Sequence, residues 1–194
     1  MNRRDAIKQS FLVIGGTAIS TSVLSGLLVG CQADAKLAWT PTFLTEEEAK
    51  TLTSALDVLL PTTDTPGALD AGVPQFLDQL ANDFLPEDDQ QKFREGIKAM
   101  NTDSEAKYSK AFAQLSEAQQ TELLTAYDQA AFGEGSKEGL SAIDFYPEFK
   151  QSACWAFCTS EPGATKHLQF VFDPRGYSNC VPIAEVGGKA FLNP

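Results

Sequence analysis

Apolar positions follow two different patterns along this chain. From Phe11 to Val29 no residue is charged, and the run is diluted by Gly15, Gly16, Thr17, Ser20, Thr21, Ser22, Ser25 and Gly26. That is mild for a membrane span, where nearly continuous apolar residues are expected. From Thr45 onward the apolar residues take up helical spacing instead. Thr45-Glu46-Glu47-Glu48 has the form of a capping box, in which the threonine hydroxyl accepts from the Glu48 N–H while Glu48 reaches back. Leu52, Ala55, Leu56 and Leu59 follow, and Pro61 stops that helix. Pro74 suits the first position of a second helix, with Phe76, Leu77, Leu80 and Phe84 as its apolar stripe. Pro86 opens a third, with Glu87, Asp88 and Asp89 where the macrodipole favours acids and with Phe93, Ile97 and Met100 as the buried face. Residues 102–115 read as another helix, with Tyr108 and Phe112 four apart. Ser116 and Gln119 make a second capping box ahead of Leu123, Leu124 and Tyr127. Tyr146-Pro147 opens the last helix, which runs through Phe149, Ala153, Ala156 and Phe157.

The breaks between these segments are equally informative. Residues 61–68 and 71–74 combine prolines, glycines and short polar side chains that bond local backbone, which marks an ordered loop. Residues 133–139 read as a flexible glycine-rich link, and Pro162-Gly163 as a break or kink. From Leu168 to Pro194 no helical period is sustained, although residues 168–172 could form a short strand. The expected fold is an all-α single domain of five or six helices with an irregular C-terminal tail, preceded by a cleaved export signal.

That signal rests on the N-terminus. Arg3, Arg4 and Lys8 precede the uncharged run, and Leu28-Val29-Gly30-Cys31 closes it with a small residue before a cysteine. Paired arginines with a weak apolar region resemble a twin-arginine signal, which exports folded proteins. The residues before Cys31 resemble a lipobox, so Cys31 would carry lipid as the first mature residue. Residues 1–30 are then the signal peptide, 31–41 a tether and 42–194 the helical domain. A general-secretion signal or an uncleaved anchor containing the same residues is the alternative. One acyl chain binds a membrane only marginally, and two or more hold it stably.

Charge narrows the partners. The 194 residues include 15 Lys+Arg and 26 Asp+Glu, and without the first thirty the balance is 12 against 25, a net −13. A surface this acidic repels nucleic acid and anionic headgroups. Of four cysteines, Cys31 goes to lipid and Cys154, Cys158 and Cys180 remain, an odd number in an oxidising compartment. Cys154 and Cys158 are four apart on a helix, awkward for a mutual bond. The expected arrangement pairs Cys158 with Cys180 and leaves Cys154 as the odd thiol, available to another chain.

Catalytic equipment is scarce. The sequence has no glycine-rich dinucleotide fingerprint, no phosphate-binding loop, no Gly-x-Ser-x-Gly elbow and no Cys-x-x-Cys-His for covalent haem. The single histidine, His167, has no neighbouring ligand pattern, and the acidic clusters at 46–48 and 87–89 read as helix-start charges. No catalytic, cofactor or metal residue is therefore expected. A small domain without a cofactor site that is exported folded suggests a companion travelling with a larger cofactor protein; fast folding alone is the rival explanation.

Two blocks carry a family resemblance. The stretch Leu59-Leu60-Pro61-Thr62-Thr63-Asp64-Thr65-Pro66-Gly67-Ala68, continued by Ala71-Gly72-Val73-Pro74-Gln75-Phe76-Leu77, resembles the hallmark of the gluconate 2-dehydrogenase subunit 3 family. Phe157-Cys158-Thr159-Ser160-Glu161-Pro162-Gly163, then Leu168 and Tyr177-Ser178-Asn179-Cys180, is similar to that family's later segment. Here Cys158 stands where the family has an aromatic, Asn179 where it has glycine, and Pro162 is unusual. The resemblance implies a non-catalytic small subunit of a membrane-associated sugar or alcohol dehydrogenase. In such complexes a flavoprotein of the glucose-methanol-choline type holds FAD and oxidises the substrate, and a cytochrome c subunit often takes the electrons. The small subunit supplies the export signal and a chaperone-like stabilisation on the periplasmic side. By that carry-over Thr63, Asp64, Thr65, Pro66 and Gly67 form a loop at or near the partner surface, or else a loop that only shapes the domain through Asp64. A stand-alone lipoprotein with a scaffolding or ligand-binding role is the other reading.

Overall fold

Five α-helices account for most of the described chain: α1 (Glu46–Leu59), α2 (Val73–Asp83), α3 (Glu87–Tyr108), α4 (Glu117–Phe132) and α5 (Tyr146–Thr159). The computed structural model describes residues 37–170, 182–188 and 191–192. Helix α1 lies at the centre, packed on α2, α3 and α4, while α5 closes the other side against α2 and α4. Leu52, Ala55 and Leu56 of α1 meet Leu77, Ile97, Met100, Leu123, Tyr127, Tyr146 and Phe149 in one core. The described residues fall in one compact unit, and among them no helix is long and apolar enough to cross a membrane.

Local signals set most helix ends. Both expected capping boxes are formed, Thr45 with Glu48 and Ser116 with Gln119. Gly72 takes a left-handed φ of 68° ahead of α2, and Pro74 follows within its first turn. The apolar stripe of α2 divides: Leu77 is buried, Leu80 lies partly buried against the core, and Phe76 and Phe84 are exposed.

Helix α3 departs from expectation. It is a single helix of 22 residues that runs through Asn101 and Thr102, ends at Tyr108 and leaves Ser109 left-handed at φ 57°. Only a short 3₁₀ turn, Phe112–Gln114, follows where a helix over 102–115 was expected. The cause is that the polar run inside α3 finds distant partners. Asn101 Oδ1 accepts from the Thr51 hydroxyl and from the Phe112 N–H, both at 3.0 Å. The Ser104 hydroxyl donates to the Lys110 carbonyl at 2.7 Å. Buried Asp103 accepts from the Tyr127 hydroxyl at 2.7 Å and from the Ser141 and Ala142 N–H groups at 2.8 and 3.0 Å. These bonds satisfy groups that would otherwise favour a turn, and they fold the chain back so that Phe112 enters the core.

The last residues of the expected tether lie on this body: Leu37 and Trp39 pack partly buried against the core, as does Phe43 just after them. Past α5 the chain turns through a π-helical segment, Gly163–His167. A Cβ on Gly163 would stand 1.9 Å from the Phe157 carbonyl oxygen, so only glycine fits that turn. Gln169–Phe170 (β1) then pairs in parallel with Phe191–Leu192 (β2), a two-stranded ladder at the edge of the helical body.

Candidate functional site

The loop between α1 and α2 is shaped by backbone closure and one carboxylate. Leu60 ends α1, and its carbonyl accepts from the Ala68 N–H at 2.8 Å, closing the loop on itself. Gly67 is buried at the neck, where a Cβ would come 2.5 Å from the Thr62 nitrogen and 2.7 Å from the Leu60 oxygen. Thr63 and Asp64 are exposed at the tip, with Thr65 and Pro66 half-buried behind them. Asp64 accepts from the Thr63 hydroxyl at 3.1 Å. The clamp on the backbone is a different residue, Asp70. One of its oxygens accepts from the Thr62 hydroxyl at 2.6 Å and from the Gly67 N–H at 2.9 Å. The hydroxyl bond above all, then the N–H bond, holds the Asp70 carboxyl below its ordinary value, and the charge of Lys166 adds to this. Lys166 belongs to the π-helical segment that follows α5.

Beside this loop lies an aromatic pair. Phe76, on the first turn of α2, meets Trp155 of α5 with ring centroids 5.7 Å apart. Both residues stay open to solvent, at 41% and 52% exposure, and Leu69 from the preceding turn is 37% exposed. Cys154 and Cys158 lie either side of Trp155 on the same helix, both half-buried. Burial first, then the neighbouring Cys158, pushes the Cys154 thiol above its ordinary value. Cys180 lies outside the described residues, and with it the expected Cys158–Cys180 pairing. Arg3, Arg4 and Cys31 lie outside them as well.

The remaining candidates play local parts. Exposed His167 sets its ring edge-on to Phe157, with centroids 5.5 Å apart. Among the described residues no three His, Cys, Asp or Glu side chains are placed to hold a metal. Of the helix-start acids, Glu46 pairs with Lys50 at 2.9 Å and Asp89 with Lys92 at 2.7 Å. Glu48 does more: it is buried, accepts from the Thr45 N–H and faces Arg94 at 3.5 Å. A recess of about 70 Å³ between α2, α3 and α5, floored by Leu77, Leu80 and Phe149, is of a size for one or two waters.

Sequence reasoning located the loop but missed Asp70 and the Phe76–Trp155 pair. Asp70 had a readable signal, an acid three residues after the neck glycine, placed to reach back to its N–H as the acid of a capping box does. The aromatic pair had none, because its members stand on helices remote in sequence. No curated protein and no solved structure matches this chain. The family model described as Gluconate 2-dehydrogenase subunit 3 matches residues 46–176, a span that takes in the loop, the aromatic pair and the π-helical segment. The chain therefore belongs to the gluconate 2-dehydrogenase subunit 3 family.

Proposed function

We propose that this chain is the small, non-catalytic subunit of a periplasmic, membrane-associated dehydrogenase. Its flavoprotein partner would hold FAD and oxidise a sugar or alcohol, and a cytochrome c subunit would accept the electrons. The chain would bring the export signal at Arg3-Arg4, a lipid anchor at Cys31 and stabilisation of the catalytic subunit. The family match over residues 46–176 carries this reading. It is supported by a loop whose shape is fixed by Gly67 and Asp70 while its tip stays open to a partner.

The test is a mild-detergent pull-down of the tagged chain from its native membrane, read by flavin absorbance and by gel stoichiometry. The expected result is a yellow complex holding one protein of flavoprotein size. A colourless lone chain with an intact helical spectrum would overturn the proposal and favour a stand-alone lipoprotein. Lipidation is read separately: Cys31→Ser should release the complex into the soluble fraction without loss of flavin.

A further inference from the structure

We infer that the catalytic subunit docks on the shelf formed by Leu69, Phe76 and Trp155, with the Thr63–Gly67 loop as a buttress beside it. The inference rests on the reading of the chain as a subunit, and it moves the contact from the loop tip to the aromatic pair. Its first ground is side-chain type. Aromatic residues held in well-packed surroundings dominate protein–protein binding energy, and here two such residues touch and still stay about half exposed.

The second ground is pre-organisation. The Phe76 N–H is anchored to the Gly72 carbonyl at 3.0 Å, and Leu77 and Asp78 beside it are buried. Trp155 stands next to buried Ala156, on a helix locked into the core by Phe149 and Ala153. Rings held by their stems lose little freedom on binding, which favours affinity.

The third ground is charge. The chain is strongly acidic, with a net charge of −11. Yet within one helical turn of the two rings the exposed positions, Gln75 and Gln79 on α2 and Gln151 and Thr159 on α5, are uncharged, and the carboxylate at the Leu69 edge of the shelf, Asp70, is taken up by Thr62 and Gly67. Depletion of charge is what sets the centre of a protein interface apart from ordinary surface. A lipid or nucleic-acid surface would call for basic residues instead. The shelf thus fits an uncharged, apolar recess on a protein, and in this family the protein at hand is a fellow subunit of the dehydrogenase. The other exposed aromatics lack this setting: Phe84 sits at the end of α2, and Phe132 at the end of α4 lies under Lys150, 5.4 Å from its ring.

The experiment uses the full-length chain in its native membrane. Phe76→Glu with Trp155→Glu should cut flavoprotein recovery about tenfold or more, with helical content and free-chain production unchanged. Phe84→Glu should leave recovery as in the wild type. Since a double charge could disturb folding, Gln79→Glu with Gln151→Glu places charge only at positions already polar and exposed, and should also weaken recovery. Oxidative footprinting read on the peptide that carries Trp155 should show its ring protected in the complex and open in the free chain. Full recovery by both charge variants, or an unprotected Trp155 in a yellow complex, would overturn the shelf while leaving the subunit reading intact. A wild-type chain that recovers no flavoprotein would overturn both. Self-association abolished by Trp155→Glu, with flavoprotein recovery unaffected, would assign the shelf to a second copy of the chain and overturn the inference.

Discussion

Two irregular segments of this molecule are each held by one aspartate, and they are held differently. The segment ahead of α1 is fixed from α2 by Asp78, which is buried at 2% exposure. Its carboxylate accepts from the Thr42 N–H at 2.6 Å, from Phe43 at 3.2 Å and from Leu44 at 2.8 Å. Arg94 of α3 braces the same stretch, donating to the Phe43 carbonyl and lying 4.5 Å from the centre of its ring. The α1–α2 loop is fixed by Asp70, which is exposed and takes one hydroxyl and one N–H. The first arrangement ties a bent stretch of backbone to the core. The second gives a loop a defined shape yet leaves it in water, as a surface meant to meet something requires.

The comparison can be broken in order of expected effect. Asp78→Ala should be the most damaging substitution, since it strands three backbone N–H groups. Bonds to a charged acceptor contribute roughly 1.5–3 kcal/mol each, so a loss of about 3 kcal/mol or more is expected in urea denaturation. Asp103→Asn, at the third bracketing carboxylate, keeps the shape but replaces one accepting oxygen by an N–H donor. Whichever oxygen is replaced, a backbone N–H, of Ser141 or of Ala142, then faces a donor and goes unpaired, at a cost of about 1–3 kcal/mol by the same measurement.

Gly67→Ala sharpens the contrast, because its Cβ would meet backbone rather than a yielding side chain. It should open the loop neck and lower stability by about 1–3 kcal/mol, and it should also weaken flavoprotein recovery if the loop buttresses the shelf. The smallest effect belongs to Asp70. Its carboxyl is held below the unfolded value of 3.8, so its contribution is fully present above that pH and is lost as the pH falls through the lowered folded value. The Gly67 amide resonance should therefore titrate with a midpoint below 3.8. Asp70→Asn should abolish that titration and barely move the unfolding midpoint. A midpoint at or above 3.8 would show that the carboxylate does not clamp the loop.

The same contrast explains what could be read from the sequence. Capping boxes and prolines act within a few residues, and so Thr45, Ser116, Pro74 and Pro147 marked their helix starts correctly. The full length of α3 was hidden because Asn101, Asp103 and Ser104 look like turn residues until Thr51, Tyr127 and Lys110 are brought to them by the fold. Phe76 read as a core position since periodicity reports a helix face, not what covers it. The position of the loop was legible; Asp64, offered as a local cap in one of the two readings, accepts from the Thr63 hydroxyl, and the clamp on the Gly67 backbone belongs to Asp70. Asp78 lay unnoticed between Leu77 and Leu80, because its partners are backbone groups more than thirty residues earlier.

The Asp78 bracket also decides how the domain takes a mechanical load. A pull on the chain at Leu37 first loads the packing of Leu37 and Trp39 and then meets the hydrogen bonds at Thr42–Leu44. There it strains three N–H bonds to the middle of α2 together with the Arg94 brace from α3. Force is thus passed sideways into two helices before it reaches the first turn of α1, and the central helix is spared from being unwound from its end.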